Sequence, residues 1–427
     1  MTRETAIQIA CLYGPISSAA LLLWWVRPGK SLSTGLLYST AWVAALLPWL
    51  DLAAVRSGFW SYQPDDFHLG KMPLTAYLGW VIAWGVVAPL LAEVFGKKPW
   101  MAVIVLVLID LRTMPEMSPV LSLGKHWWIA EFAIAALLLA PAVFLVRWSA
   151  TSEKTPLRCA MLAPAFGGIF IGIPFLVICG DLDGILVRWN SFSIISQILF
   201  LTGLFIFSIP GLTALRDFAL GGNGTPVPLE PPQKLVTHGI YSYLRNPMQV
   251  SMTSLLLLES LFLANLWPTL LAVIGIIYSE GFARWSESAD MRSRFGETWD
   301  DYRRTHRPWI PTWHPVMPEN SELWFDDTCG VCTEVADWFS KKHPKQLTLR
   351  KASEWSGTPL ERITWHNPST ARTESGVTAI AMALQHIHLG WAVLGWFASI
   401  PGISHTIQIC IDAAGAGKKS QTPSACQ

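Results

Sequence analysis

The sequence predicts a mainly α fold: a polytopic helical membrane protein of about nine spans, ending in a small C-terminal α/β soluble domain. Three observations carry this prediction. Hydrophobic residues make up 52% of the chain and charged residues only 14%, whereas an ordinary soluble domain carries about 25% charged residues. Apolar runs long enough for a hydrocarbon core of about 30 Å recur as far as residue 284. After Pro318 those runs stop, and an apolar strand, a Cys-x-x-Cys pair and a helical pattern follow in that order.

In chain order, the spans are expected at 6–26, 34–55, 73–95, 126–146, 157–179 and 192–215. The run 100–111 is shorter and ends at Asp110 and Arg112, so it is expected to stop at the interface. The run 248–284 is too long for one span and is expected to form two helices that turn near 265–268. The 23 tryptophans fit this setting, because indole rings settle at the lipid–water boundary. No charged leader with a small-residue cleavage site precedes the first run, so it reads as a retained helix.

Loop charges orient the chain. On this count of spans, Arg27, Lys30, Lys97, Lys98, Arg147, Lys154, Arg158 and the loop 216–247 share one side. Arg3, Arg56, Lys71, Arg112, Lys125 and Arg188 fall on the other. The first side is more basic and is assigned to the cytoplasm, together with the C-terminal domain. The expected setting is a multi-pass protein of the cell (inner) membrane. A net charge of +1 gives no reason to expect nucleic-acid binding. The expected division is a membrane domain at 1–190 with no assigned function, a catalytic domain at 191–316, a thioredoxin-like domain at 320–412 and a disordered tail at 413–427.

The segment 221–311 carries the chemistry. Its Gly/Pro-rich start cannot be helical and reads as a loop. Arg245, Asn246 and Pro247 then open a helix, since proline is favoured in the first turn. Free N–H groups at a helix start beside an arginine make an anion site. Further on, Glu287, Gly296 and Tyr302 fall on a charged amphipathic segment outside the membrane. Such a site could take a charged cofactor from water and a lipid-soluble acceptor from the bilayer.

Three ordered motifs, GxGTPxP at 222–228, LVTxGxYxYxRNPM at 235–248 and FGxxWxxYxxxxxxWIP at 295–311, closely resemble the isoprenylcysteine carboxyl methyltransferase and phospholipid methyltransferase superfamily. The resemblance covers about 90 residues. It implies an S-adenosylmethionine-dependent methyltransferase whose cofactor is held by Tyr241, Tyr243, Arg245, Asn246, Pro247 and Glu287. Arg245 would take the cofactor carboxylate as a charge-assisted pair. Glu287 would favour the cationic end or the ribose and amine groups. Tyr241 and Tyr243 would pack on the adenine or the sulfonium. The sequence departs from the isoprenylcysteine pattern in having Asn246 where His is usual, Glu287-Ser288 in place of an acidic pair, and Gln249 after the Met. Those departures bear on the acceptor more than on the cofactor.

Glu280 closes an apolar run, and ionisable groups at membrane depth are seldom idle; with Arg245 it is the catalytic candidate. His238 reads as structural. Taken singly, Arg245 reads as a positive-inside anchor, Glu287 as a solvated face and Tyr243 as an interfacial belt residue. The ordered motifs favour the joint reading. No metal is required. The acids Asp51, Glu93, Asp110 and Glu131 recur in the first half, where helix-end hydration or pairing across helices is the expected role.

Of seven cysteines, Cys11, Cys159 and Cys179 lie in or beside apolar runs and read as small hydrophobes. Cys329 and Cys332 form the tight pair. The strand 323–325, the helix 333–342 and the strand 346–350 around them give the pattern of a thioredoxin-like unit. A thiol at a helix start is activated and its neighbour can resolve a mixed disulfide. D-x-x-C-x-x-C at 326–332, with 376–384 and 394–403, resembles the DCC family of thiol-disulfide oxidoreductase-like proteins. That resemblance implies a thiol-redox partner protein. Two other readings stay open for the whole chain: an NADPH-dependent membrane reductase of the sterol-reductase type, and a non-enzymatic membrane tether for the redox module.

Overall fold

The computed structural model describes residues 2–63, 67–222, 224–225, 230, 232–357 and 360–413. The expected tail from 414 onward and residues 223 and 226–228 of the first motif lie outside the described residues.

Six helices are long and apolar enough to cross a membrane: Arg3–Val26, Lys30–Arg56, Leu74–Phe95, Trp127–Ala150, Thr155–Cys179 and Ile194–Gly222. They coincide with the six long runs of the sequence and mark a multi-pass membrane protein. The expectation of about nine spans goes beyond them. Trp100–Thr113 has only 14 residues, Pro247–Leu263 has 17, and the apolar part of the next helix, Trp267–Tyr278, has 12. The chain turns between these last two at 264–266, where Ala264 takes φ +48°.

The chain divides into two compact units. The first comprises Met1–Thr202, Thr225–Pro231 and Leu256–Leu271. Its axis is the helix Lys30–Arg56, with Val43, Ala45 and Leu47 in the core. Gly35 lets this helix touch Trp127–Ala150 closely: a Cβ there would sit 2.8 Å from the Val146 Cα. Two of the buried acids, Asp51 and Asp110, accept from aromatic donors rather than from cations. Asp51 accepts the Trp60 indole N–H at 2.9 Å and the Tyr62 hydroxyl at 2.7 Å. Asp110 accepts the Trp84 indole N–H at 2.9 Å. A buried carboxylate without a partner is costly, and these indole and phenol donors answer that need.

Arg158 departs from its expected role as a loop cation. Its side chain is 1% exposed. Nη1 donates to both Glu230 oxygens at 2.9 and 2.7 Å, Nε to the Glu153 carbonyl at 2.9 Å, and Nη2 to Thr155 at 3.2 Å. Tyr38 and Thr225 share a hydroxyl contact of 2.5 Å. Thr225 and Glu230 of the Gly/Pro-rich loop are thereby held to helices of the first half.

The second unit comprises Gly203–Gly224, Pro232–Leu255 and Ala272–Gln427. It contains a four-stranded sheet in the order Leu347–Lys351, Ser321–Phe325, Thr364–Asn367, Arg372–Ser375. The first two strands are parallel, with Leu323 opposite Leu349; the other pairings are antiparallel, with Leu323 opposite Trp365. Leu323, Trp365 and Phe339 of the helix Gly330–Lys341 form its core with Ala379 and Met382 of the helix Val377–Leu384. The next helix, Leu389–Ala398, sends Ala392 and Trp396 into a shared core with Tyr241, Tyr243, Leu244, Trp299 and Tyr302. The sheet-bearing segment and the motif segment therefore bury one another's apolar surface.

Candidate functional site

The motif segment converges on one cleft in the second unit, assembled from three stretches of chain. Arg245 and Asn246 stand just before the helix Pro247–Leu263, and Gln249 lies in its first turn. Ser279 and Glu280 sit in a π-helical turn, Ser279–Ala283, and Arg284, Glu287 and Ser288 follow on the helix Arg284–Phe295. Trp299 and Arg303 come from Glu297–Thr305. The empty space between these residues is about 360 Å³, a figure that includes open solvent.

Local sequence explains the assembly. The ring of Pro247 is preset for a helix start and needs no hydrogen-bond partner for its nitrogen. Spacings of four and three along 280, 284 and 287 keep those side chains on one face. Gly296, at φ +53°, ends one helix and begins the next. That reversal, which few other residues adopt easily, carries Trp299 and Arg303 back over the cleft.

The cleft is electrostatically incomplete. Glu280 accepts the Trp309 indole N–H on Oε1 at 2.6 Å and Arg284 on Oε2 at 2.8 Å. Arg245 donates from Nη1 to the Arg303 carbonyl at 3.2 Å, and its main-chain N–H donates to the Arg307 carbonyl at 2.9 Å. Among the described residues no carboxylate comes within ion-pair distance of Arg245. Burial, then the guanidinium groups of Arg303 and Arg284, pull its pKa below the usual value. The indole nitrogen of Trp299 is buried and lacks an acceptor. Glu287 lies on the exposed lip; the atoms packed around its carboxyl, then Asp290, hold its pKa above the ordinary range. An unpaired guanidinium, an orphan indole N–H and a carboxyl on the rim fit a ligand carrying both an anionic and a cationic group.

The structure brings Arg245, Asn246, Glu280 and Glu287 together, with Pro247 buried behind them. Tyr241 and Tyr243 stand in the core and do not line the cleft. The Tyr241 carbonyl accepts the Tyr302 hydroxyl at 3.0 Å, and its ring lies 5.3 Å from that of Phe218. Tyr243 donates to the Gln385 carbonyl at 2.8 Å and packs edge-on to Trp396 at 5.5 Å. His238 is half-buried and accepts from Arg372. Cys329 and Cys332 lie at the start of the helix Gly330–Lys341, apart from the cleft lining. Burial, then a hydrogen bond with Cys329, pushes the Cys332 thiol up to about 11.

Sequence reasoning missed Arg284, Trp299 and Arg303. Trp299 was legible as the Trp of FGxxW. Arg284 and Arg303 required knowing which helix faces meet. Glu259 was missed as well: it is 1% exposed, and neither carboxyl oxygen has a partner.

Comparison with known proteins bears on this segment. The family model described as phospholipid methyltransferase matches residues 194–298. No curated protein and no solved structure matches the chain. The match supports an integral membrane methyltransferase and bears out the methyltransferase side of the sequence resemblance. It contains Arg245, Asn246, Glu280 and Glu287 and stops short of the thiol-bearing segment.

Proposed function

We propose that the chain transfers a methyl group from S-adenosylmethionine to a lipid-soluble or isoprenoid-like acceptor, at oxygen, nitrogen or sulfur. One observation carries this reading: the cleft with its unpaired guanidinium shares a helix with an outward aromatic ladder. Tyr278, Phe282 and Trp285 are exposed at 54%, 60% and 74%, with ring centroids 5.9 and 6.1 Å apart in sequence order. Glu280, Arg284 and Glu287 interleave with them along the chain. Aromatic rings in that position suit the headgroup level of a bilayer, so an acceptor dissolved in lipid would reach the cleft from the membrane.

The residues present fit the cofactor. Arg245 would hold its carboxylate, with Asn246 and the N–H groups at the start of Pro247–Leu263 beside it. Glu287 would take its amine, and the orphan N–H of Trp299 would find an acceptor. Tyr241 and Tyr243 would fix the wall from behind. When bound, S-adenosylmethionine supplies a methyl group already activated by its sulfonium. The protein's share is then alignment and exclusion of water. Glu280, hydrogen-bonded by Trp309 and Arg284, would receive an acceptor's proton. The inner-membrane setting, with the cleft and the C-terminal segment on the cytoplasmic side, is part of this proposal and rests on the loop charges of the count of about nine spans.

A thiol–disulfide activity of the DCC type is proposed for the C-terminal segment. Its support is a pair of parallel strands joined by a helix whose N-terminal cap is Cys329, with Cys332 one turn on. A thiol-redox partner protein would be its substrate.

The deciding experiment is calorimetric titration of the detergent-solubilised protein with S-adenosylmethionine, its demethylated product and NADPH. Binding of the first two alone supports the proposal. Binding of NADPH alone transfers the chain to the reductase reading, and silence from all three favours the tether.

A further inference from the structure

A charged cluster in the second unit stands directly behind the cleft wall. At its centre is Asp217, 1% exposed, the last residue of the helix Ile194–Asp217. Arg372, on the strand Arg372–Ser375, is 10% exposed and anchored by Glu374, to which Nε and Nη2 donate at 3.0 and 2.9 Å. Its Nη1 donates to Nε2 of His238 at 3.1 Å and lies 3.8 Å from Oδ1 of Asp217. Arg216 reaches the same Glu374 oxygen at 3.5 Å. A hydrogen accepted on Nε2 selects the neutral His238 tautomer with its proton on Nδ1.

The cluster continues into the backbone that feeds the cleft. Gly239 follows His238 at φ +67°, and the Asp217 carboxylate fills the place a Cβ would take. Oδ2 of Asp217 accepts the Ile240 N–H at 3.4 Å. One 3-10 turn later, the N–H groups of Tyr243 and Leu244 close on the Ile240 carbonyl at 3.0 and 3.1 Å. The next residue is Arg245. Between the charged cluster and the unpaired guanidinium there is a single turn of rigid, buried chain.

We propose that Arg372 is a positioning residue for the cofactor site: through His238 and Asp217 it fixes the turn that sets Arg245 and Asn246 on the cleft wall. The inference rests on the methyltransferase reading. It makes the thiol-bearing segment part of the methyl-transfer apparatus, because the strand that carries Arg372 belongs to that segment's sheet. A simple tether would also bury these charges. It would lose stability on substitution but would have no reason to lose cofactor affinity.

The test uses the full chain in detergent, with S-adenosylmethionine titrated calorimetrically and thermal unfolding recorded beside it. The expected result is that Arg372→Gln weakens binding by about tenfold or more, since small misplacements of a binding group are costly. Arg372→Lys, which can still donate to His238, should recover part of that loss at an equal unfolding temperature. If Arg372→Gln does not fold, Glu374→Gln removes the anchor while keeping the guanidinium, and it should weaken binding in the same direction. Wild-type protein that binds no S-adenosylmethionine removes both the methyltransferase reading and this inference. Wild-type binding, with unchanged affinity in whichever of these two variants is measured, overturns the positioning role alone.

Discussion

Trp309 donates its indole N–H to Oε1 of Glu280 at 2.6 Å, while Arg284 holds Oε2 at 2.8 Å. Glu280 and one of the cleft's guanidinium groups thus satisfy each other, and among the described residues Arg245 and Arg303 are left without a carboxylate. A ligand carboxylate is the natural partner for what remains. Arg245→Ala is therefore expected to abolish S-adenosylmethionine binding, a loss of at least the roughly 1.5–3 kcal/mol that a charged hydrogen bond contributes. The unfolding temperature should stay near wild type, because Arg245 makes no ion pair among the described residues. Calorimetric titration checks this, and near-wild-type affinity would remove Arg245 from the site.

Glu287 gives the same site a pH dependence. Crowding by neighbouring atoms, then Asp290, raises its pKa, so it takes a proton at a higher pH than an ordinary glutamate, about 4.3. Only the ionised form can hold a cationic amine. Affinity for S-adenosylmethionine should therefore fall as pH drops through the mildly acidic range. Glu287→Gln should bind weakly throughout and lose that slope. A variant with the wild-type slope would assign the titration to another group.

The long helices were legible because lipid imposes one rule along a whole run: every backbone group must be paired within the segment. The spans therefore lie where apolar runs of full length lie. The cleft was legible through Arg245, Asn246 and Glu287, whose spacing to Pro247 and Gly296 marks helix starts and stops. Tyr241 and Tyr243 show where that logic stops. A tyrosine in a motif can serve the site with its ring or hold the wall from behind, and only tertiary packing decides. Arg158 is a similar case. Read as a loop cation, it is buried because Glu230, 72 residues later, comes back to meet it, and no local pattern records such a meeting.

The thiol pair is expected to behave asymmetrically. Burial and the hydrogen bond with Cys329 keep Cys332 protonated well beyond neutral pH, with its pKa at about 11. Cys332 should therefore react slowly, and an alkylating reagent at neutral pH should label Cys329 first, as peptide mass mapping would reveal. Cys329→Ser should leave methyl transfer by the pre-reduced protein intact. Complete loss of transfer would place the thiols in the same catalytic cycle.

In the first unit, the pair between Arg158 and Glu230 should matter for stability rather than chemistry. The Arg158 side chain is 1% exposed and that of Glu230 25%. Removing the carboxylate strands a buried guanidinium, which typically costs about 3–5 kcal/mol. Glu230→Ala is expected to lower the unfolding temperature markedly and to make the adjoining loop more open to protease. A cost below about 1 kcal/mol, the level of a surface pair, would mean that solvent or lipid headgroups take the place of the carboxylate.

His386 should set the acid limit of the second unit. Its ring is 1% exposed, with one nitrogen facing the Lys345 carbonyl at 2.8 Å and Nε2 accepting from the Trp365 indole at 3.3 Å. Burial lowers its pKa to about 4, against the partial opposition of the Lys345 carbonyl. An unfolded histidine titrates at about 6.5. Between these values the unfolded chain binds a proton that the folded chain refuses, so stability rises with pH across that window. It is complete above about pH 6.5 and lost as pH falls toward 4, a change of about 3 kcal/mol at 1.36 kcal/mol for each pH unit. His386→Phe should be less stable than wild type at neutral pH, because the Lys345 carbonyl and the Trp365 indole lose a partner. It should also lose less between neutral pH and the acid end of the window. Chemical unfolding of the full chain, followed by tryptophan fluorescence at both ends of that window, measures the difference. An equal fall in both proteins would mean that another buried group governs the acid transition.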